Sequence, residues 1–413
     1  MSRSADVLIV GAGPSGLAAA IELRRLGIPQ VSVLDREANA GGIPRHSDHL
    51  GYGLRDLHVA TTGPRYAAKY VRRAERAGVE ILTETSATGW AGPTILATTS
   101  PRGVEAIEAG AVILATGCRE RPRSARLVPG SRPQGILTTG ALQQFVHLQH
   151  RRVGWRAVIV GAEHVSFSAV LTLAHAGARV VAMVTEHEVD QTSPLLRAAT
   201  AGWRRIPVRT GQRVTNILGR GRVEAVEVTD VATGALHRIA CDTVVFSGDW
   251  IPDHELARLG GLEMDPDTRG PRVDEAQRTS SRGVFASGNL LHAAETADTA
   301  ALCGREVANS AASFLRTGQW PETPPVPLVC EDPVAWISPS AILDPRGHVP
   351  HGHFIARVRQ VLRRPELQIR QDGRVLWSRR FERLRPGIGV HIPGSVAAAV
   401  DARGGPVRIS ALS

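Results

Sequence analysis

The chain has 413 residues, of which 43% are hydrophobic, with a mean hydropathy of −0.07 and a formal charge of +10. That length can bury a large core divided into two or three domains, and the composition excludes both a disordered chain and a membrane-embedded one. The charge resides in arginine, Lys69 being the sole lysine, and the arginines are scattered rather than interleaved with aromatics on one segment, which argues against a nucleic-acid-binding face.

In chain order, the apolar run 6–10 predicts a strand that leads directly into Gly11-Ala12-Gly13-Pro14-Ser15-Gly16. A helix over 15–26, a strand over 31–34 and then Asp35 follow. This is the grammar of a dinucleotide held at a strand-to-helix turn. Gly11 permits the tight turn, Gly13 lets the backbone approach a diphosphate, and Gly16 lets the helix pack closely on the strand. The helix N-terminus then offers unpaired N–H groups and partial positive charge to the phosphates, so Gly11, Gly13, Pro14, Ser15 and Gly16 are the candidate diphosphate ligands. Asp35 stands 19 residues after Gly16, where a carboxylate accepts the hydroxyls of an adenosine ribose. Arg36 reads either as a partner for a 2′-phosphate or as a solvated surface arginine. The one apolar stretch of notable length, 5–21, contains this turn, so no membrane span and a cytoplasmic location are expected.

A glycine-rich loop over 39–54, a helix over 63–77 and a strand over 79–84 come next, and a buried strand at 111–114 runs into Ala115-Thr116-Gly117. The Arg- and Pro-rich stretch 119–133 reads as a crossing linker. A second strand, turn and helix then start at Arg156, so Gly161 repeats Gly11 at a separation of 150 residues. A helix over 165–176, a strand over 179–184 and further strands at 205–209, 213–217, 223–229 and 242–248 complete that unit. Residues 283–289 form a short strand entering a turn, 295–316 a long alanine-rich helix, and Pro321, Pro324, Pro325 and Pro327 a linker. Beyond it, strands at 366–370, 375–378, 390–392 and 407–409 are separated by glycine turns. The expected fold class is α/β: two Rossmann-like three-layer dinucleotide-binding domains, the second inserted in the first, plus a small C-terminal β-rich domain. The expected boundaries are 1–122 with 265–320 for the first domain, 123–264 for the insert and 325–413 for the appendage.

Cys118, Cys241, Cys303 and Cys330 lie far apart, with no CxxC pair, so neither a local redox disulfide nor a metal or iron–sulfur site is encoded.

The intact first turn, the Ala-Thr-Gly strand end, the inserted second unit and the late Gly283-Val284-Phe285-Ala286-Ser287-Gly288-Asn289 together resemble the two-dinucleotide-fold flavoproteins of the pyridine nucleotide–disulfide oxidoreductase superfamily. The resemblance implies that the first turn and Asp35 hold FAD and that the insert binds NAD(P)H. It brings Thr116 and Gly117 close to the cofactor, and places Gly288 and Asn289 where a Gly-Asp pair usually contacts the ribityl chain. Thr296 and Ala297 would start a helix whose N–H groups face the flavin pyrimidine edge, where donors stabilise a reduced flavin. The segments 41–46, 49–55, 62–64 and 115–123 further resemble the FAD subunits of multi-component amino-acid and amine dehydrogenases, such as the α-type subunits of opine and hydrogen cyanide-forming enzymes. That group commonly works beside an iron–sulfur protein and a second flavin subunit, so a hetero-oligomer is implied.

Two departures qualify the resemblance. The second turn reads Gly161-Ala162-Glu163-His164-Val165-Ser166, and Glu163 puts bulk and negative charge where a pyrophosphate needs bare backbone, which makes NAD(P)H doubtful. Glu186, after the next strand, keeps the spacing of a ribose-binding acid, while Glu163 and His164 read as a helix cap. At the other end, Cys330 alone cannot hold an iron–sulfur cluster. Within 41–56, Gly42 and Arg45 are candidate cofactor ligands, and His46 and His49 are candidate catalytic bases, His46 ahead of His49; the stronger competing reading is that Arg45 and His46 only hold the FAD phosphates or pin the loop. The leading expectation is one component of an FAD-dependent dehydrogenase or oxidase that oxidises an amino acid, amine or related small polar metabolite. The alternatives are a stand-alone NAD(P)H-dependent flavin reductase and a flavin-binding structural subunit.

Overall fold

The computed structural model describes residues 3–192, 194–202, 204–345, 347 and 349–412. β1 (Arg3–Val10), α1 (Pro14–Arg25), β2 (Val31–Leu34), α2 (Gly63–Arg76) and β3 (Glu80–Leu82) alternate as the periodicity predicts. β4 (Ser86–Gly92) and β5 (Ile95–Ser100) form an antiparallel hairpin that the sequence pattern does not announce. β6 (Gly103–Leu114) is three times the length expected of it, because its first half pairs antiparallel with β5 and its second half parallel with β1. β1 therefore sits mid-sheet between β2 and β6 and is buried on both faces. Val7 and Ile9 pack beneath α1 and α2 with Leu17, Leu23, Tyr66 and Tyr70. Leu8 and Val10 face the other layer with Leu96, Ile107 and Leu262. Each such side chain taken out of water stabilises the fold by about 1.5–3 kcal/mol, before the ordering entropy is subtracted.

The chain then crosses into a second sheet. β7 (Cys118–Glu120) lies inside the stretch expected to be a plain linker; it is ordered by antiparallel pairing with a strand 130 residues later, where Trp250 meets Glu120. β8 (Ile136–Thr138), α3 (Thr139–Gln143), β9 (Arg156–Val160), α4 (His164–His175), β10 (Arg179–Val184) and β11 (Val208–Arg209) follow. Next come a three-stranded meander of β12 (Gln212–Leu218), β13 (Ala225–Asp230) and β14 (Leu236–Ala240), then β15 (Thr243–Phe246) and β16 (Trp250–Pro252), the partner of β7. The parallel order is β8-β15-β9-β10-β11, so β9 holds in this sheet the central place that β1 holds in the first.

β17 (Val284–Ala286) returns to the first sheet, parallel to β6, and α5 (Ala297–Thr317) lies against α1. The two helices approach so closely that a Cβ on Gly304 would overlap the Ser15 carbonyl. Past the proline-rich segment, β18 (Val326–Cys330), β19 (Val334–Ser338), β20 (Ala341–Ile342), β21 (His353–Val358), β22 (Glu366–Gln371), β23 (Arg374–Arg380), β24 (Val390–Pro393) and β25 (Val407–Leu412) build two sheets, ordered β20-β18-β25-β22-β23 and β19-β21-β24. Their shared core includes Ile337, Phe354, Ile369, Ile392 and Ile409. This β-rich unit is docked by acids of the preceding one: buried Glu275 accepts the Leu343 and Asp344 N–H groups at 2.8 and 3.1 Å, and half-buried Glu306 that of His351 at 2.7 Å.

Candidate functional site

At the first turn, Gly11 donates to the Leu34 carbonyl at 2.8 Å and takes φ +108, a region open to glycine. Gly13 is the N-cap of α1 with extended backbone and no side chain capping the helix, and Pro14 begins the first turn. A Cβ on Gly13 would meet nothing within 4 Å, whereas one on Gly16 would overlap the Gly11 carbonyl. Gly16 is thus required by packing, while Gly13 borders free space in front of uncapped helix N–H groups, which is what a diphosphate needs. Gly42 faces it from the loop after β2, at φ +62, where a Cβ would stand 2.8 Å from the Gly13 Cα. Ser15 lies behind the turn, its hydroxyl 3.0 Å from that of Ser287.

At the adenosine end, one Asp35 oxygen accepts the Ala12 N–H at 2.8 Å and the other the Glu37 N–H at 2.9 Å, and burial raises its carboxyl. Each oxygen retains a lone pair for a ribose hydroxyl. Arg36 is neither free nor set for a phosphate: it pairs with Asp253 at 3.3 Å, although its side chain is 69% exposed. Arg45 bonds the Asn39 carbonyl and pairs with Glu37 at 3.3 Å.

Ile43–His46 form one tight helical turn beneath which His46 is buried, 2% exposed. Burial, helped by the nearby Arg45 charge and opposed by a hydrogen bond with Gln143, pushes its imidazole down to about 4, so it is neutral at pH 7. Among the described residues, the buried His46 Nδ1 and Arg45 Nε have no hydrogen-bond partner. His49 differs: Nδ1 bonds the Leu50 carbonyl at 2.8 Å and Nε2 the Ser47 hydroxyl at 3.1 Å, so both ring nitrogens are engaged within its own loop.

At the far end, Gly117 takes φ +77 with open space around it, and the Thr116 hydroxyl donates to the Asp253 carbonyl at 2.7 Å. Gly288 abuts Ser15, so a Cβ there would stand 2.8 Å from the Ser15 Cβ. The Asn289 amide ties down the following turn, donating to the Glu295 carbonyl at 3.1 Å and accepting its N–H at 2.9 Å; one lone pair on Oδ1 is left for a ligand. Thr296 is the N-cap of α5, its hydroxyl accepting from Thr299 at 3.3 Å, and Ala297 opens the helix.

Two residues that sequence reasoning missed hold this end together. Asp298 is buried in the first turn of α5 and accepts the Gly53 and Arg55 N–H groups, both at 2.8 Å, fixing the loop that carries His46 and His49. Arg357 of β21 reaches across from the C-terminal unit to the Ala293 and Ala294 carbonyls at 3.1 and 2.7 Å and to Glu295 at 2.8 Å. No local pattern marks either residue; the acid at the second helical position of 297–317 is the only available hint, for Asp298.

At the second turn, Glu163 is the N-cap of α4 and forms a capping box with Ser166, as its sequence position suggests. Its carboxylate also accepts the Ser247 hydroxyl at 2.6 Å. Glu186 does not stand where a ribose-binding acid would. Gly161 bonds the Val184 carbonyl as Gly11 bonds that of Leu34, so the residue matching Asp35 is Thr185, and Glu186 is exposed one place further on.

The family model for pyridine nucleotide-disulphide oxidoreductases matches residues 5–304. The chain belongs to that family. It is a flavin-dependent oxidoreductase with FAD as its cofactor. The bare cradle at Gly13 and Gly42, the Asp35 carboxylate with a lone pair left on each oxygen, and the unpartnered Arg45 Nε and His46 Nδ1 fit that group. The chain is 30% identical over 354 residues to the alpha subunit of sarcosine oxidase from Corynebacterium sp. (strain P-1), covering 81% of this chain and 35% of that one. It is 27% identical over 314 residues to an opine oxidase subunit of Rhizobium meliloti, covering 69% and 58%. It is also 27% identical over 330 residues to thioredoxin reductase of Treponema pallidum (strain Nichols), covering 77% of this chain and 100% of that one. The chain thus spans about a third to three fifths of the two oxidase subunits. The solved thioredoxin reductase of T. acidophilum, at 24% identity, superposes with a TM-score of 0.65 over 76% of this chain and 100% of its own, which shows the family's two-dinucleotide-domain fold.

Proposed function

We propose that the chain is the FAD-bearing subunit of a dehydrogenase or oxidase that oxidises an amino acid, an amine or a related small polar metabolite, with electrons leaving to a partner protein or another acceptor. The observation that carries this reading is the state of the cysteines. A reductase acting on disulfides needs an attacking thiolate and a resolving thiol. Here none of Cys118, Cys241, Cys303 and Cys330 is in a disulfide, and burial pushes each thiol up, that of Cys241 to about 12. The oxidase-subunit relatives therefore suit this chain better than the thioredoxin reductases.

When bound, the flavin supplies the hydride and electron chemistry. We assign FAD binding to Gly11, Gly13, Pro14, Ser15, Gly16, Asp35, Gly42, Arg45, Thr116, Gly117, Gly288, Asn289, Thr296 and Ala297. His46 is the assigned proton acceptor, since it is neutral and keeps Nδ1 unpartnered, whereas His49 has no ring nitrogen to offer. In this reading residues 1–122 and 265–320 form the flavin domain, 123–264 the insert and 325–413 a unit that closes the flavin end through Arg357. The proposed partners are an iron–sulfur protein and a second flavin subunit, and the proposed location is the cytoplasm; no described helix is long and apolar enough to cross a membrane.

The test is anaerobic titration of the purified flavoprotein with a panel of amino acids, N-methyl amino acids and opines. Bleaching of the flavin by one of these supports the proposal. Rapid bleaching by NADH or NADPH and by none of the panel, with or without partner proteins, would sink it.

A further inference from the structure

We propose that the Glu163 carboxylate is an internal anion occupying the phosphate cradle of the second dinucleotide fold, so that this fold binds no NAD(P)H and serves as scaffold. The inference concerns a different site from the substrate reading above and does not rest on it.

The two turns share one backbone scaffold. Gly11 and Gly161 each donate to the end of the neighbouring strand at 2.8 Å, at Leu34 and Val184. The Ala12 and Ala162 carbonyls each accept an N–H from the loop that follows that strand, from Gly41 at 2.8 Å and Gln191 at 2.9 Å. Ala115 donates to the Val10 carbonyl and Ser247 to that of Val160, both at 2.9 Å. The helix N-caps are Gly13 at φ −82, ψ −174 and Glu163 at φ −98, ψ 179, the same extended conformation. At the cap itself the backbone is shared and the side chain differs. A Cβ at position 13 would project into open space, whereas at 163 that space is taken by a carboxylate.

The carboxylate is held on both oxygens. Oε2 accepts the Ser166 hydroxyl at 2.7 Å, Oε1 accepts the Ser247 hydroxyl at 2.6 Å, and the capping box adds a backbone N–H from the first turn of α4. The glycines around it have closed in: a Cβ on Gly248 would stand 2.8 Å, and one on Gly161 3.0 Å, from Glu163 Oε2. A phosphate would have to share these donors with a fixed negative charge. Like-charge repulsion at about 4 Å corresponds to roughly a thousandfold loss of affinity at an effective dielectric of about 20. The ribose end is altered as well, since Thr185 replaces the acid found at Asp35, and its hydroxyl already accepts the His187 N–H at 3.4 Å.

The experiment is a direct binding titration of the holoprotein with NADH and NADPH, read by nucleotide fluorescence and calorimetry rather than turnover, on wild type, Glu163→Gly and Glu163→Ser. The serine variant keeps an N-cap for α4 and guards against loss of the fold. The expected result is no saturable binding to wild type at submillimolar nucleotide, and saturable binding to at least one variant, tighter than the wild-type limit by about a hundredfold or more, with flavin absorbance unchanged. Saturable micromolar binding to wild type would overturn the proposal, and so would folded variants that gain nothing.

Discussion

The sharpest test of the first turn is Gly13→Ala, because the methyl group meets no protein atom. Its Cβ would have open space for 4 Å, and the backbone there, φ −82 and ψ −174, suits any residue. In the apoprotein two small effects oppose each other. Alanine is a poorer N-cap than glycine by roughly 1 kcal/mol, and it lowers the unfolded-state entropy by about 0.4–1 kcal/mol. The apoprotein should therefore keep its stability to within about 1 kcal/mol. In the holoprotein the methyl intrudes between the diphosphate and the N–H groups of α1. Losing one or two charge-assisted hydrogen bonds, at about 1.5–3 kcal/mol each, weakens FAD binding by roughly 10-fold to 10⁴-fold. The assay is quenching of FAD fluorescence on titration into apoprotein, with thermal unfolding of the same samples. FAD affinity unchanged within about twofold, in a variant of unchanged stability, would refute the placement of the diphosphate.

Gly304→Ala is expected to do the opposite, destabilising the apoprotein by about 1–3 kcal/mol or more in urea unfolding, because its Cβ would overlap the Ser15 carbonyl between two packed helices. Arg357→Met removes three hydrogen bonds and the partner of the half-buried Glu295, so a loss of about 3–5 kcal/mol is expected, with protease cutting earlier in the linker near 321–325. His46→Gln with full flavin loading should lower substrate-dependent flavin reduction by about 10²–10⁴-fold, while His49→Gln leaves it within a few-fold; equal rates for His46→Gln and wild type remove the proton-acceptor role. For pH, burial raises the Glu120 and Glu306 carboxyls to about 7, so their contribution to stability falls as pH rises from about 4.5 to 7, and it lowers the His46 and His292 imidazoles to about 4, so theirs falls as pH drops from about 6.5 to 4. Each difference of one proton changes stability by about 1.4 kcal/mol per pH unit, so the two pairs oppose one another near pH 5.5, and Glu120→Gln with Glu306→Gln should make unfolding free energy rise more steeply between pH 4.5 and 6.5 than in wild type.

The parts of this molecule that are legible in the sequence are those whose cause is local. Glycines at 11, 13 and 16 after four apolar residues, and the same apolar strand 150 residues later, dictate two turns because a tight bend between buried strand and helix has few chemical solutions. The strand at 284–286 is readable for the same reason, being apolar and entering a glycine turn. The hairpin at 86–100 is not: its strands mix threonine, glycine and alanine, and they become a ladder only because β6 extends beyond β1 to receive them. β7 reads as linker because its order comes from β16, and three residues carry no periodicity of their own.

The site divides along the same line, and the division explains which side chains are misjudged from sequence. Asp35 follows from its distance along one βαβ unit, but Glu186 rests on the same kind of count and fails by one residue, since only strand register decides that Thr185 takes the matching place. His49 and Asn289 carry groups suited to a ligand, yet neighbours within six residues claim most of them, and which partner wins is a matter of loop closure rather than residue type. Asp298 and Arg357 bind backbone groups 245 and 63 residues away, so their role exists only once three units have met. The end where we propose the flavin ring lies is therefore assembled mainly by long-range bonds, and the turn proposed for the diphosphate mainly by short-range ones. A substitution at Asp298 or Arg357 should consequently disturb the flavin's spectrum and reduction before it disturbs FAD retention, whereas one at Gly13 should disturb retention first.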